Sequence, residues 1–143
     1  MRIGIVGAGG VGSVVGGLLS HGGHDLTLVD QWPEHINKIK SDGLLVESRD
    51  QSILTRPNAI HICELAQITD PFEAAFIAVK SYDTTWATAL MLDYVDPESG
   101  VFVDFQNGIN DERMAAVAGA HRSLGCVIII GAVSYTHLRA HET

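Results

Sequence analysis

Arg2-Ile3-Gly4-Ile5-Val6 runs directly into Gly7-Ala8-Gly9-Gly10-Val11-Gly12, and the join between these two segments decides the fold. The first segment reads as a short apolar strand, and the second satisfies the pattern G-x-G-x-x-G. Beyond it, Val11, Val14, Val15, Leu18 and Leu19 recur at the spacing of one helical face until Gly22-Gly23 stops the run. A glycine-rich turn between a strand and a helix needs no ligand, so the pattern alone is a weak signal. Here an acid, Asp30, also stands 18 residues past Gly12, at the end of the next apolar run, Leu26-Thr27-Leu28-Val29. That is the context in which the pattern binds a dinucleotide. Gly7 permits the tight turn, Gly9 lets the backbone approach a pyrophosphate, and Gly12 lets the helix lie close to the strand. The backbone of Ala8, Gly10 and Val11 completes the loop, and the free N–H groups of the helix start hold phosphate without a lysine.

Asp30 bears on which dinucleotide. A carboxylate there accepts hydrogen bonds from both adenosine ribose hydroxyls of NAD and repels the 2′-phosphate of NADP. No arginine lies close in sequence, and the nearest basic residues, Lys38 and Lys40, belong to the following helix. The plainer alternative is a solvated aspartate ending a strand.

Outward from this unit the chain alternates. Pro33 to Ser41 reads as a helix closed by Asp42-Gly43, and Leu44-Leu45-Val46 as a third strand. Ile53-Leu54-Thr55 and Ile60-His61-Ile62 suggest a small hairpin across Arg56-Pro57-Asn58. Ala74 to Val79 is a continuous apolar strand of the kind covered on both faces. A helix follows over Thr84–Tyr94 with Asp83 as its N-cap, then the turn at Asp96-Pro97, the strand Val101-Phe102-Val103, and a helix over Asp111–Ala118 capped by Asn110. Cys126 to Ile130 reads as one more buried strand. The expected fold is α/β, a doubly wound parallel sheet of the Rossmann type.

Composition agrees with a globular domain. At 46% hydrophobic and 18% charged residues, a chain of 143 residues buries a useful core. A net charge of −8, with no basic run, argues against nucleic acid as a partner. No apolar run reaches membrane-spanning length, and six glycines between Gly7 and Gly17 interrupt any signal-peptide reading of the start. A cytoplasmic location is expected. Cys63 and Cys126 stand alone, without metal-ligand spacing, and read as reduced core thiols.

The last eleven residues, Val133 to Thr143 (VSYTHLRAHET), break with what precedes them. They resemble the conceptual translation of a transposase-type sequencing adapter, whose leading bases would also supply part of the Ala132 codon. Residues 1–132 are therefore expected to form the dinucleotide-binding domain, and 133–143 to be a non-native tail without core contacts. His137 and His141 are accordingly not candidates for catalysis.

Two more segments sit at strand ends, where open α/β sheets bind ligands. They are Ala78-Val79-Lys80-Ser81-Tyr82-Asp83-Thr84 and Phe105-Gln106-Asn107-Gly108-Ile109-Asn110. Taken singly, Lys80 reads as a solvated lysine and Asn107-Gly108 as a turn. Taken with GAGGVGSVVGG, the two segments resemble the ketopantoate reductase (2-dehydropantoate 2-reductase) family. That family has a further glycine pair in its first helix, a lysine after the fourth main strand and a QNG after the fifth. The likeness covers residues 1 to about 131.

The resemblance implies that Gly7–Gly12 hold the dinucleotide, while Lys80 and Asn107 line the junction of cofactor and substrate. It also implies hydride transfer from a nicotinamide to the ketone of a 2-oxo acid, 2-dehydropantoate, as part of pantothenate biosynthesis. The family's default cofactor is NADP(H), whereas Asp30 favours NAD(H). The family's proton-donating lysine and a cofactor-contacting glutamate lie in a helical second domain, which is missing from this chain. No catalytic acid and no metal ligand are therefore assigned within it. His21, His24, His35, His61 and His121 read as surface or structural residues. A reductase of another 2-oxo acid is one alternative. A nicotinamide-sensing regulatory domain is another, although it gives no reason for Lys80 and QNG to occur together.

Overall fold

The computed structural model describes residues 1–134 and, as backbone, 139–142. Six strands form one parallel sheet: β1 (Arg2–Val6), β2 (Asp25–Asp30), β5 (Asn58–His61), β6 (Ala74–Ile77), β7 (Val101–Asp104) and β8 (Ser123–Gly125). Their spatial order is β5-β2-β1-β6-β7-β8, so the winding reverses between β1 and β6. Helices α1 (Gly10–His21) and α2 (Pro33–Asp42) belong to one half of the winding, and α3 (Thr84–Met91) and α4 (Asp111–Ala118) to the other. This is the doubly wound α/β sheet that the alternating pattern predicts.

Burial forms two clusters, and β1 and β2 contribute to both. Ile3, Ile5, Val14, Leu26, Leu28, Ile36 and Ile39 share one apolar cluster. Val6, Val29, Phe72, Ile77, Met91, Phe102 and Met114 share the other. Among the described residues, no helix is long and apolar enough to cross a membrane.

A second sheet holds β3 (Leu44–Glu47), β4 (Ser52–Thr55), β9 (Ala132–Ser134) and β10 (Arg139–Glu142), in the order β4-β3-β10-β9. It corrects three sequence expectations. First, the strand after α2 does not join the main sheet. Second, residues 53–55 and 60–62 form no hairpin: β4 pairs antiparallel with β3, while β5 crosses to pair parallel with β2. Arg56-Pro57 is thus a passage between sheets, with no ladder across it. Third, the tail is not left without contacts, since β10 pairs parallel with β3 and antiparallel with β9. A bare edge of β3 offers unpaired N–H and C=O groups to any extended segment, whatever its side chains. Tyr135 to Leu138 and Thr143 lie outside the described residues.

Cys126–Ile130 is not a strand either. Residues 123–125 take the pairing with β7, which ends at Asp104 opposite Gly125, so the following residues have no ladder to join. Val127 and Ile129 are exposed at 88% and 92%. Nor are the thiols in the core: Cys63 is exposed and Cys126 half-buried, both free. Asp83 and Asn110 precede their helices without making side-chain caps. Thr84 closes the first turn instead, its hydroxyl lying 2.7 Å from the Ser81 carbonyl.

The glycines of α1 fix how near everything stands. A Cβ on Gly12 would lie 1.7 Å from the carbonyl oxygen of Gly7, on Gly16 2.7 Å from Leu28, and on Gly17 2.4 Å from Val46. Neighbouring helical positions face different directions, so Gly16 admits the main sheet and Gly17 the small one. Gly12→Ala should therefore destabilise the domain by ~3 kcal/mol or more, the upper end for overpacking, because the obstacle is backbone. A urea-unfolding series with His21→Ala, at an exposed position of the same helix, as the permissive control measures it.

Candidate dinucleotide site

The parallel registers bring four strand ends to one level. Val6 pairs with Val29 on one side and Ile77 on the other, and Ile77 pairs with Asp104. The chain therefore leaves β1, β2, β6 and β7 side by side, at the point where the strand order reverses. A cleft of about 570 Å³ opens there, lined by Gly7, Gly9, Gly10, Val11, Asp30, Lys80 and Asn107 among others. Ala8 and Gly12, the other two loop positions singled out in the sequence, do not line it. Ala8 is buried, and Gly12 is packed against Gly7.

Gly7 has φ +101°, and a Cβ there would stand 2.7–2.8 Å from the Ala78-Val79 backbone. Only glycine turns the chain at that point and lets it pass the end of β6. At Gly9 nothing lies within 4 Å of the Cβ position, so the loop is open on its cleft side. The first N–H groups of α1 have no acceptor within the helix and carry its positive end. Free amides, open space and a missing side chain together fit a phosphate-bearing ligand.

Asp30 is half-buried and closely held. Its Oδ2 accepts from the Ala8 N–H at 2.7 Å and its Oδ1 from the Trp32 N–H at 2.9 Å. Each carboxylate oxygen retains a further lone pair, so ribose hydroxyls can still be accepted. The two lysines of α2 are engaged elsewhere. Lys38 pairs with Asp42, and Lys40 reaches both oxygens of Glu64 at 2.8 and 2.9 Å. Those partners hold the Asp42 and Glu64 carboxyls below their ordinary range.

On the opposite wall, exposed Lys80 forms no ion pair among the described residues, and Asn107 is exposed on the loop after β7. What joins their segments is Gln106, which the sequence reading passed over as the first letter of a motif. Its Nε2 donates to the Val79 carbonyl at 2.8 Å, and its Oε1 faces the Thr84 hydroxyl at 2.9 Å. Arg113 of α4 donates to the Ser81 carbonyl at 3.2 Å. Asn110 turns back to donate to the Asn107 carbonyl at 3.0 Å, which shapes the loop rather than capping α4.

The partner of His35 is not legible in the sequence either. Of the two roles open to it, surface or structural, it has the structural one: it is 3% exposed, and its Nε2 lies 2.7 Å from the Ala8 carbonyl. No spacing rule connects a helix residue to a loop 27 positions earlier. His61 likewise spans the chain: its Nδ1 accepts from the Cys63 N–H at the start of a short 3-10 turn, and its Nε2 lies 3.0 Å from the Gln31 carbonyl.

A doubly wound sheet with a glycine loop, a strand-end acid and a cleft at its reversal point defines a Rossmann-type dinucleotide-binding domain. The chain belongs to the ketopantoate reductase family: the family model described as ketopantoate reductase PanE/ApbA matches residues 3–143. It is 32% identical over 135 residues to the 2-dehydropantoate 2-reductase of Halobacterium salinarum, covering 90% of this chain and 40% of that protein. Among solved structures it is similar to the 2-dehydropantoate 2-reductase of Geobacter metallireducens (TM-score 0.85, 24% identity, 99% of this chain and 46% of that one). It is also similar to a D-mandelate dehydrogenase solved with NADH and anilino(oxo)acetate (TM-score 0.84, 20% identity, 100% and 46%). The chain thus spans less than half the length of these relatives.

Beneath the Gln106-Asn107 loop lies Asp104, 3% exposed, with Oδ1 unpartnered. Burial raises its pKa from the ordinary 3.8, and nearby Asp111 adds to the rise, while the backbone N–H groups of Gln106 and Asn110 oppose it. A folded-state value above the unfolded one means that ionisation opposes folding. The cost is absent below about pH 3.8 and grows to its full size once pH passes the raised value. Asp104→Asn keeps an oxygen for the two amides and removes the charge. It should be more stable than the wild type by ~1 kcal/mol at pH 8, the scale of an unsatisfied buried group. The gain should shrink toward pH 4, as parallel denaturant melts would read.

Proposed function

We propose that this chain is the nucleotide-binding part of a 2-dehydropantoate 2-reductase. The reaction is hydride transfer from a nicotinamide cofactor to the ketone of 2-dehydropantoate, giving pantoate for pantothenate biosynthesis. The observation that carries the reading is the gathering of the glycine loop, Asp30, Lys80 and Asn107 around one cleft. The bound cofactor would supply the hydride. The chain's own part is to bind and orient. The amides of Gly9, Gly10 and Val11 face the pyrophosphate, and Asp30 takes the adenosine ribose. Lys80 and Asn107 present an ammonium and an amide to the nicotinamide side and to the substrate's oxygens. None of these groups is assigned as the proton donor to the forming alkoxide. That role falls to the additional length present in the relatives.

A 2-oxo acid with a different side chain is the second reading. It is favoured by the likeness to the D-mandelate dehydrogenase solved with anilino(oxo)acetate. We further infer that residues 133–143 are of adapter origin. Sequencing the source gene across codon 132 should find a different continuation, and recovery of VSYTHLRAHET there would refute the inference.

For the cofactor we infer NAD(H) in place of the family's NADP(H). A 2′-phosphate would meet a carboxylate already fixed by two backbone N–H groups, with both α2 lysines engaged in other ion pairs. Two like charges at about 4 Å cost roughly 1–4 kcal/mol between aqueous and near-surface dielectrics. Lost charge-assisted ribose bonds add about 1.5–3 kcal/mol, and the two terms overlap. The expected preference for NADH is about tenfold to a thousandfold. Fluorescence titration of the chain with both reduced cofactors, beside Asp30→Ala, tests it. A wild-type preference for NADPH, or an unchanged ratio in the variant, would reduce Asp30 to a solvated strand end.

A further inference from the structure

We infer that His35 is a positioning residue for the phosphate-binding amide of the glycine loop, acting through the carbonyl of Ala8. The inference rests on the cofactor site proposed above and adds a residue that no motif contains.

The geometry is that of a closed ring of contacts. Asp30 accepts the Ala8 N–H through Oδ2 and the Trp32 N–H through Oδ1. His35 stacks on Trp32, with centroids 5.1 Å apart and planes 16° from parallel, and reaches back to the Ala8 oxygen at 2.7 Å. The Ser13 hydroxyl donates to the same oxygen at 2.8 Å. A carbonyl oxygen only accepts, so Nε2 carries the imidazole proton in this contact. Nδ1 is buried without a partner. A ring needed only to fill space would be better apolar there, since an unsatisfied buried acceptor is costly. The retained donor has one visible target, the Ala8 carbonyl.

That target matters because of what shares its peptide group. The Ala8 C=O and the Gly9 N–H belong to one trans peptide, in which the two bonds point in opposite directions. Two donors holding the oxygen toward α2 and α1 therefore turn the Gly9 N–H the other way, toward the cleft that Gly9 lines. Glycine on one side of this peptide and open space beside it leave little else to prevent rotation. Rotated, the peptide would set a carbonyl oxygen against the pyrophosphate where an N–H belongs. His35 and Ser13 oppose that rotation before any ligand arrives.

The test compares His35→Phe with His35→Gln in this chain. Phenylalanine keeps the stack on Trp32 and removes the donor, while the Gln Nε2 stands close to where the His Nε2 stood. Binding of NADH and of ADP-ribose should weaken about three- to tenfold in His35→Phe, the size of one net hydrogen bond. Displacement by adenosine, which has no phosphate, should be unchanged, and His35→Gln should recover phosphate-ligand affinity to within about twofold of wild type. Equal loss for adenosine and NADH, no loss for either, or failure of glutamine to rescue would overturn the inference. Absence of NADH binding by the wild-type chain would instead remove the cofactor reading, and this inference with it.

Discussion

The approach of α1 to the end of β1 governs the rest. Its measure is the 1.7 Å between the oxygen of Gly7 and the place a Gly12 Cβ would occupy. Without a side chain at Gly12 the helix starts against the strand it follows, and its first amides open where the sheet reverses its winding. Move the helix out by one methyl group and those amides no longer face the Lys80 wall. Gly16 and Gly17 extend the same constraint along the helix, one admitting Leu28 of the main sheet and the other Val46 of the small sheet. Three of the four glycines of one helix thus set the distances among two sheets and a cleft.

The sequence was most legible where a backbone requirement dictates residue type. The glycine loop, Asp30 at the end of β2, and β6 and β7 all lie where their patterns placed them, because a bare Cα or a buried parallel strand admits few alternatives. It was least legible where pairing is decided by distant partners. Nothing local in Ser52–Thr55 or Asn58–His61 tells two strands of one hairpin from single strands of two sheets. The Cys126–Ile130 run failed for a related reason. Its hydrophobicity matches a core strand, but the ladder it would join had already ended opposite Gly125.

The site shows the same division. Of the cleft lining, Gly7, Gly9, Gly10, Val11, Asp30, Lys80 and Asn107 belong to legible motifs, whereas the contacts that hold them in place follow from none. Gln106 spends its amide on Val79 and Thr84, His35 its ring on Ala8, and Asp104 lies beneath the loop it supports. Each is an ordinary residue type made important by a contact spanning many sequence positions. Such contacts become readable only once the strand registers are known.

The join between the Lys80 and Asn107 walls passes through a single hydrogen. The Thr84 hydroxyl has two oxygens within reach, Ser81 at 2.7 Å and Gln106 at 2.9 Å, and one proton to give. When it turns to Gln106, Ser81 keeps the guanidinium of Arg113; when it turns to Ser81, Gln106 keeps Val79 through Nε2, but its buried Oε1 is left facing the hydroxyl oxygen without a proton between them. The rotation toward Gln106 is therefore the one that satisfies both oxygens. The two sides of the cleft are thus joined by one hydroxyl whose direction fixes whether the buried Gln106 carbonyl is satisfied.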